Sequence, residues 1–146
     1  RRIIICASED VGNADPQALT VAVSAFNAVN VIGMPEGRII LAQAAVYVAC
    51  APKSNASYVG IDKALGDIRN KPVGKVPGHL KDASYRGAAN LGHGKGYRYP
   101  HDYDNAHIKQ QYLPDELIGT KYYEPTEHGY EQVIKEHLSK LFDKEY

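Results

Sequence analysis

The sequence predicts an all-α fold, a helical bundle in its first half followed by a loop-rich second half. Three observations carry this. Apolar residues recur at helical spacing in three successive segments joined by short Gly, Pro and Asn connections. Past residue 70 the chain changes character, with Pro72, Gly74, Pro77 and Gly78, then Gly92, Gly94, Gly96 and Pro100. A helical pattern returns only after Thr126. No internal repeat or low-complexity tract interrupts the 146 residues.

The run Ile3-Ile4-Ile5-Cys6-Ala7 stops at the acidic turn Ser8-Glu9-Asp10. Gly12 and Asn13 suit the left-handed conformation that closes a helix. Asp15 is placed to cap the first free N–H groups of the next helix, with Pro16 at its first position. The stretch reads as helix, tight turn, helix, and its carboxylates have a structural job ahead of any catalytic one. From Pro16 to Asn30, Leu19, Ala22, Val23, Phe26 and Val29 recur at helical spacing, and Gly33 with Pro35 ends the segment. The following helix starts near Pro35 or Glu36. Between Ile39 and Cys50 only Gln43 is strongly polar, and a helix apolar all round must be covered all round. Its alanines, Ala42, Ala44, Ala45 and Ala49, permit close approach by neighbours.

Ala51-Pro52-Lys53-Ser54-Asn55 breaks this helix and caps a third, in which Tyr58, Ile61, Leu65 and Ile68 form one stripe. Lys71 to Gly78 should be extended, Ser84 to Leu91 a short helix ended by Gly92, and Gly92 to Gly96 a loop. Tyr112 to Leu117 suggests an extended entry into one helical turn, and Tyr122 to Pro125 a further extended stretch. Thr126 then caps a final helix whose apolar face is Tyr130, Val133, Ile134, His137, Leu138 and Leu141.

Composition fits one domain spanning residues 1–146. Net charge is zero, which gives no global attraction to nucleic acid or anionic membrane. The distribution is uneven. Residues 1–70 hold six basic and six acidic groups, residues 71–101 six basic against Asp82 alone, and residues 102–146 five basic and ten acidic. Either the last two segments neutralise each other by packing, or the middle one is a basic binding patch. Cys6 and Cys50 lie in apolar helical runs and read as small buried hydrophobes in a reducing compartment. The longest apolar run, Ile39 to Cys50, is shorter than the ~20 residues a bilayer needs, so a cytoplasmic chain with no membrane partner is expected. The chain begins at Arg1, and a piece of something longer is expected.

Sites of chemistry are sparse. Gly94-Lys95 is followed by Gly96, where a Walker A loop needs Ser or Thr between a strand and a helix. A surface loop is the default there, and a contact to a phosphate backbone through Lys95 and Arg98, with Tyr97 or Tyr99 as stacking faces, is the alternative. The six histidines, His79, His93, His101, His107, His128 and His137, show no metal-ligand spacing. No G-x-S-x-G accompanies the serines, and the eleven tyrosines are best explained by packing of the loop-rich half. No catalytic, cofactor or metal residue is assigned.

Three phrases together resemble one family: Ala7-Ser8-Glu9-Asp10-Val11-Gly12-Asn13-Ala14-Asp15-Pro16, Val46-Tyr47-Val48-Ala49-Cys50-Ala51-Pro52-Lys53-Ser54-Asn55, and Gly94-Lys95-Gly96-Tyr97-Arg98-Tyr99-Pro100-His101-Asp102. Val76 to Leu80, Tyr112 to Pro114 and Tyr122 to Thr126 support them. The chain resembles the C-terminal region of the bacterial replication-associated recombination protein A family (the MgsA type), to which the eukaryotic Werner-helicase-interacting ATPase is related. The resemblance implies a domain similar to the clamp-loader collar, a homotetramer, and an upstream AAA+ module that holds ATP and magnesium. It implies a cytoplasmic, nucleoid-associated parent acting at stalled or damaged forks, in DNA replication, repair and recombination.

The leading expectation is therefore a non-catalytic oligomerisation domain, with self as partner and Ile39, Ile40, Gln43, Val46, Tyr47 and Cys50 as candidate interface residues. The alternative is a module that binds single-stranded DNA or a fork protein such as single-stranded-DNA-binding protein. Its candidate contacts are Lys71, Lys75, Lys81, Arg86, Lys95, Tyr97, Arg98 and Tyr99. A small standalone hydrolase using the neighbourhood of His101 and Asp102 ranks third.

Overall fold

Five α-helices follow one another in the computed structural model, which describes residues 1–142: α1 (Arg2–Cys6), α2 (Gln17–Ile32), α3 (Gly37–Cys50), α4 (Ala56–Asn70) and α5 (Tyr130–Leu141). Among the described residues there is no strand, and the all-α class expected from periodicity holds. The chain groups into two compact units, one of residues 1–64 and 122–146, the other of residues 65–121. The domain expected over residues 1–146 ends four residues beyond the described ones. No helix among the described residues is long and apolar enough to cross a membrane.

In the first unit α1 runs on as a π-helical turn, Ala7–Val11, in which the Gly12 N–H reaches the Ala7 carbonyl. Gly12 has φ +52°, and a Cβ there would lie 2.8 Å from the Ser54 carbonyl oxygen, so glycine is needed for both reasons. Asn13, expected to share the left-handed turn, stays out of that region. Its side-chain amide instead donates to Ser57 Oγ at 3.2 Å and Tyr123 OH at 3.3 Å. The predicted cap is present, since Asp15 Oδ1 accepts the Gln17 N–H at 3.0 Å.

The core is built from small residues. Ala7, Val11, Ala18, Ala22 and Val48 cluster, with Ile3, Ile4, Cys6 and Ala51 packed against them. The inward face of α2 is Ala18, Ala22 and Ala25; of the apolar residues that recur at helical spacing Ala22 is buried, whereas Leu19, Val23 and Phe26 are exposed. The correction has a simple cause. Periodicity shows which residues share a face but not which face is inward, and alanine lets α1 and α3 approach closely. In α3 the buried positions are Gly37, Ala44 and Val48. The stripe of α4 is likewise outward, with Tyr58, Ile61, Leu65 and Ile68 all exposed, while Gly60 is buried beneath the Tyr122 carbonyl.

The final helix begins four residues after Thr126, which therefore does not cap it as expected. The start of α5 lies on the short turn Gly12–Ala14, and a Cβ on Gly129 (φ +56°) would run into the Ala14 carbonyl. Its inner face holds Glu131, Ile134, Leu138 and Leu141, and the expected Tyr130, Val133 and His137 are exposed instead.

The second unit carries 3₁₀ turns at Gly78–Leu80, Ala88–Leu91, Pro100–Asp102, Asp104–Ala106 and Asp115–Leu117. The last is the helical turn expected after Tyr112. The helix expected over Ser84 to Leu91 shrinks to Ala88–Leu91, because Gly87 and Gly92, both left-handed, bracket it.

Candidate functional site

The outward side of α3 is the first candidate surface. Ile39, Gln43, Val46 and Cys50 lie at i, i+4, i+7 and i+11, one stripe along the helix, and all four are exposed. Ile39 and Val46 are 62% and 63% exposed, so the stripe leaves large aliphatic side chains uncovered. Cys50 is thus a surface thiol and not the buried hydrophobe expected. Ile40 and Gln43, with Ala44, line a groove of about 330 Å³ shared with Thr20, Val21, Ser24, Ala25 and Ala28 of α2. Tyr47 has a task inside the fold, since its hydroxyl donates to Asp15 Oδ2 at 2.9 Å and so ties α3 to the cap of α2.

In the second unit the structure brings only part of the basic segment together. Lys95 and Arg98 line a polar notch of about 240 Å³ with His79, Gly96, Gln110 and Gln111. Tyr97 and Tyr99 are exposed, and the Tyr99 ring meets that of His101, with centroids 5.1 Å apart. Lys71 pairs with Asp67 at 3.0 Å along α4. Lys75, Lys81 and Arg86 are not among the residues lining the notch. His101 and Asp102 are both exposed on one 3₁₀ turn.

Sequence reasoning missed the most constrained polar group. Glu131 is 0% exposed. Its Oε2 accepts from Ser54 Oγ (2.7 Å), the Thr126 N–H (2.8 Å) and Thr126 Oγ1 (2.7 Å), and its Oε1 accepts from Tyr123 OH (2.8 Å). Ser54 Oγ also accepts the Ala56 N–H at 3.2 Å, so the predicted cap of α4 is the same hydroxyl that holds the carboxylate. Asn13 reaches the same Tyr123 hydroxyl. One side chain therefore joins the turn before α2, the start of α4, the 122–126 stretch and α5. Burial pushes the Glu131 pKa up, but the donors from Ser54, Thr126 and Tyr123 outweigh it and hold the carboxyl below the ordinary range. The available signal was positional, for Glu131 stands in register with Ile134, Leu138 and Leu141.

Hydrogen bonding to Asp10, then burial, push the Cys6 thiol pKa up, which keeps it protonated and a poor nucleophile. Among the described residues no three His, Cys, Asp or Glu side chains gather as a metal site.

Comparison with known proteins gives a consistent picture. The family described as "MgsA AAA+ ATPase C terminal" matches residues 1–142. Replication-associated recombination protein A of Bacillus subtilis is 46% identical over 145 residues, 99% of this chain and 34% of that protein. The protein of the same name from Escherichia coli K12 is 45% identical over 146 residues, 99% of this chain and 33% of that one. ATPase WRNIP1 of Dictyostelium discoideum is 38% identical over 128 residues, 85% of this chain and 14% of that one. The chain thus spans about a third of the length of these bacterial relatives.

Proposed function

We propose, starting from the fact that this chain belongs to the MgsA AAA+ ATPase C-terminal family, that it assembles a clamp-loader-like ATPase into a homotetramer, as a collar. The parent protein acts in replication-fork maintenance, repair and recombination, a role supported by the names of the bacterial relatives. The observation that carries the assembly function is the outward apolar side of α2 and α3. Ala18, Ala22 and Ala25 of α2 and Gly37, Ala44 and Val48 of α3 are buried, while Leu19, Val23, Phe26, Ile39 and Val46 point out. Full burial of such a side chain is worth roughly 1.5–3 kcal/mol, so covering five half-exposed ones offers several kcal/mol per protomer. A second copy presents the same faces, which suits a closed symmetric assembly.

The test is the pair Ile39→Asp and Val46→Asp in one chain, weighed by light scattering beside the parent sequence. Both positions are exposed, so the helix content by circular dichroism should persist while the mass falls to that of one chain. A variant that still assembles like the parent would remove the α3 stripe from the contact.

The domain itself is non-catalytic, and ATP and magnesium belong to another part of the parent. In support, the chain around Lys95 is a succession of turns with left-handed Gly94 and Gly96, and not a strand–loop–helix cradle. Titration calorimetry with Mg-ATP should give no saturable heat, and micromolar binding lost in Lys95→Ala would contradict this.

A further inference from the structure

We propose that the notch of the second unit is a phosphate site that grips the backbone of single-stranded nucleic acid, with tyrosines beside it as stacking faces. This goes beyond the assembly function and does not depend on it, since one unit of one chain carries every residue involved. In an extended run, residues 95 and 98 would project to opposite sides. Gly96, with φ +83°, breaks that alternation, and Lys95 and Arg98 line the same concavity.

The walls are held by hydrogen bonds that leave cationic donors available. The Gln110 amide donates to the Arg98 carbonyl at 2.9 Å and to Tyr112 OH at 2.9 Å, while its Oε1 accepts the Arg98 N–H at 3.4 Å. The Arg98 guanidinium gives one N–H to the Lys109 carbonyl. On the other wall His79 Nε2 lies 2.8 Å from the Gln111 carbonyl oxygen. The Gln111 amide is engaged by the Leu113 carbonyl and Asp115, and no carboxylate lines the notch. Within this unit Lys95 has no carboxylate at ion-pair distance.

Size and surroundings select the ligand. At about 240 Å³, with two cations and amide groups in its lining, the notch matches a single phosphate group. Tyr97, Tyr99 and Tyr112 are 46%, 53% and 50% exposed, half-open rings, the first two on the stretch of chain that carries Lys95 and Arg98 and the third next to Gln111. Phosphate contacts beside half-exposed aromatic rings favour unstacked bases over a duplex.

Fluorescence anisotropy with a labelled oligothymidylate, between 50 and 200 mM salt, tests the proposal. Two phosphates held by Lys95 and Arg98 predict that log affinity falls with log salt at a slope of about −1.4. Engagement of all six cations of residues 71–101 would give about −4 and would overturn the notch in favour of a diffuse patch. Lys95→Ala should flatten the slope by about 0.7 without changing the melting temperature, because its ammonium makes no ion pair among the described residues. Tyr97→Ala should weaken binding at an unchanged slope, and Lys140→Ala on α5 should change neither. No binding at 50 mM salt, or binding untouched by Lys95→Glu, would overturn the site. Inorganic phosphate, followed by amide shifts of Gly96 and Arg98, is the second probe. Saturation by phosphate as tight as by the oligonucleotide would mean a free-anion site and would overturn the nucleic-acid assignment.

Discussion

Glu131 shows how one residue can organise the first unit. A carboxylate without solvent is tolerable only with its lone pairs filled, and here two hydroxyls from Ser54 and Thr126, one phenol and one backbone N–H fill them. Glu131→Gln keeps the shape but turns an NH₂ toward donors on one side. It should cost about 2 kcal/mol in urea unfolding, against which a value near zero would show that the network is not cohesive. The pH dependence has a definite sign. The folded carboxyl titrates below its unfolded value, so its contribution is fully present above the unfolded pKa and is lost as pH falls through the lower folded one. The parent should therefore lose more stability than Glu131→Gln across the acid range. Little of this was legible beforehand. A single Glu on an amphipathic helix looks like a solvated group unless its register with Ile134 and Leu138 is weighed, and its partners come from residues 54, 123 and 126.

At the scale of elements, the boundaries of α2, α3 and α4 were legible, while that of α5 and the inner faces were not. Gly33 stops α2, Asp15 starts it, and the 51–55 break separates α3 from α4, because capping and left-handed turns are local chemistry. Faces are a tertiary matter. In α2 close helix packing selected Ala18, Ala22 and Ala25 over the larger residues, and in α4 the Tyr122 carbonyl selected Gly60. Helix α3 offers a contrast within 3.6-residue geometry: Val48 is 4% exposed and faces inward, whereas Val46 faces out. Val48→Ala should lower fold stability by about 2 kcal/mol through lost burial and a cavity, read as an earlier denaturant midpoint. Val46→Ala should barely move that midpoint when measured on dissociated chains. Equal effects at the two positions would mean that the two sides of α3 are not distinct.

For the whole molecule, the sequence phrases that carry the family resemblance fall into two spatial groups. Ala7 to Pro16, Val46 to Asn55 and Tyr122 to Thr126 meet around Glu131 in the first unit, while Gly94 to Asp102 and Val76 to Leu80 frame the notch in the second. A chain of zero net charge has no strong self-repulsion to oppose association. A core cluster of alanine and valine, with Leu19, Val23, Phe26, Ile39 and Val46 exposed, is what the assembly account expects of a protomer. Sedimentation equilibrium over a micromolar concentration series measures this most directly. The account predicts a mass near four times the 16.0 kDa of one chain, and a single-chain mass at every concentration would contradict it.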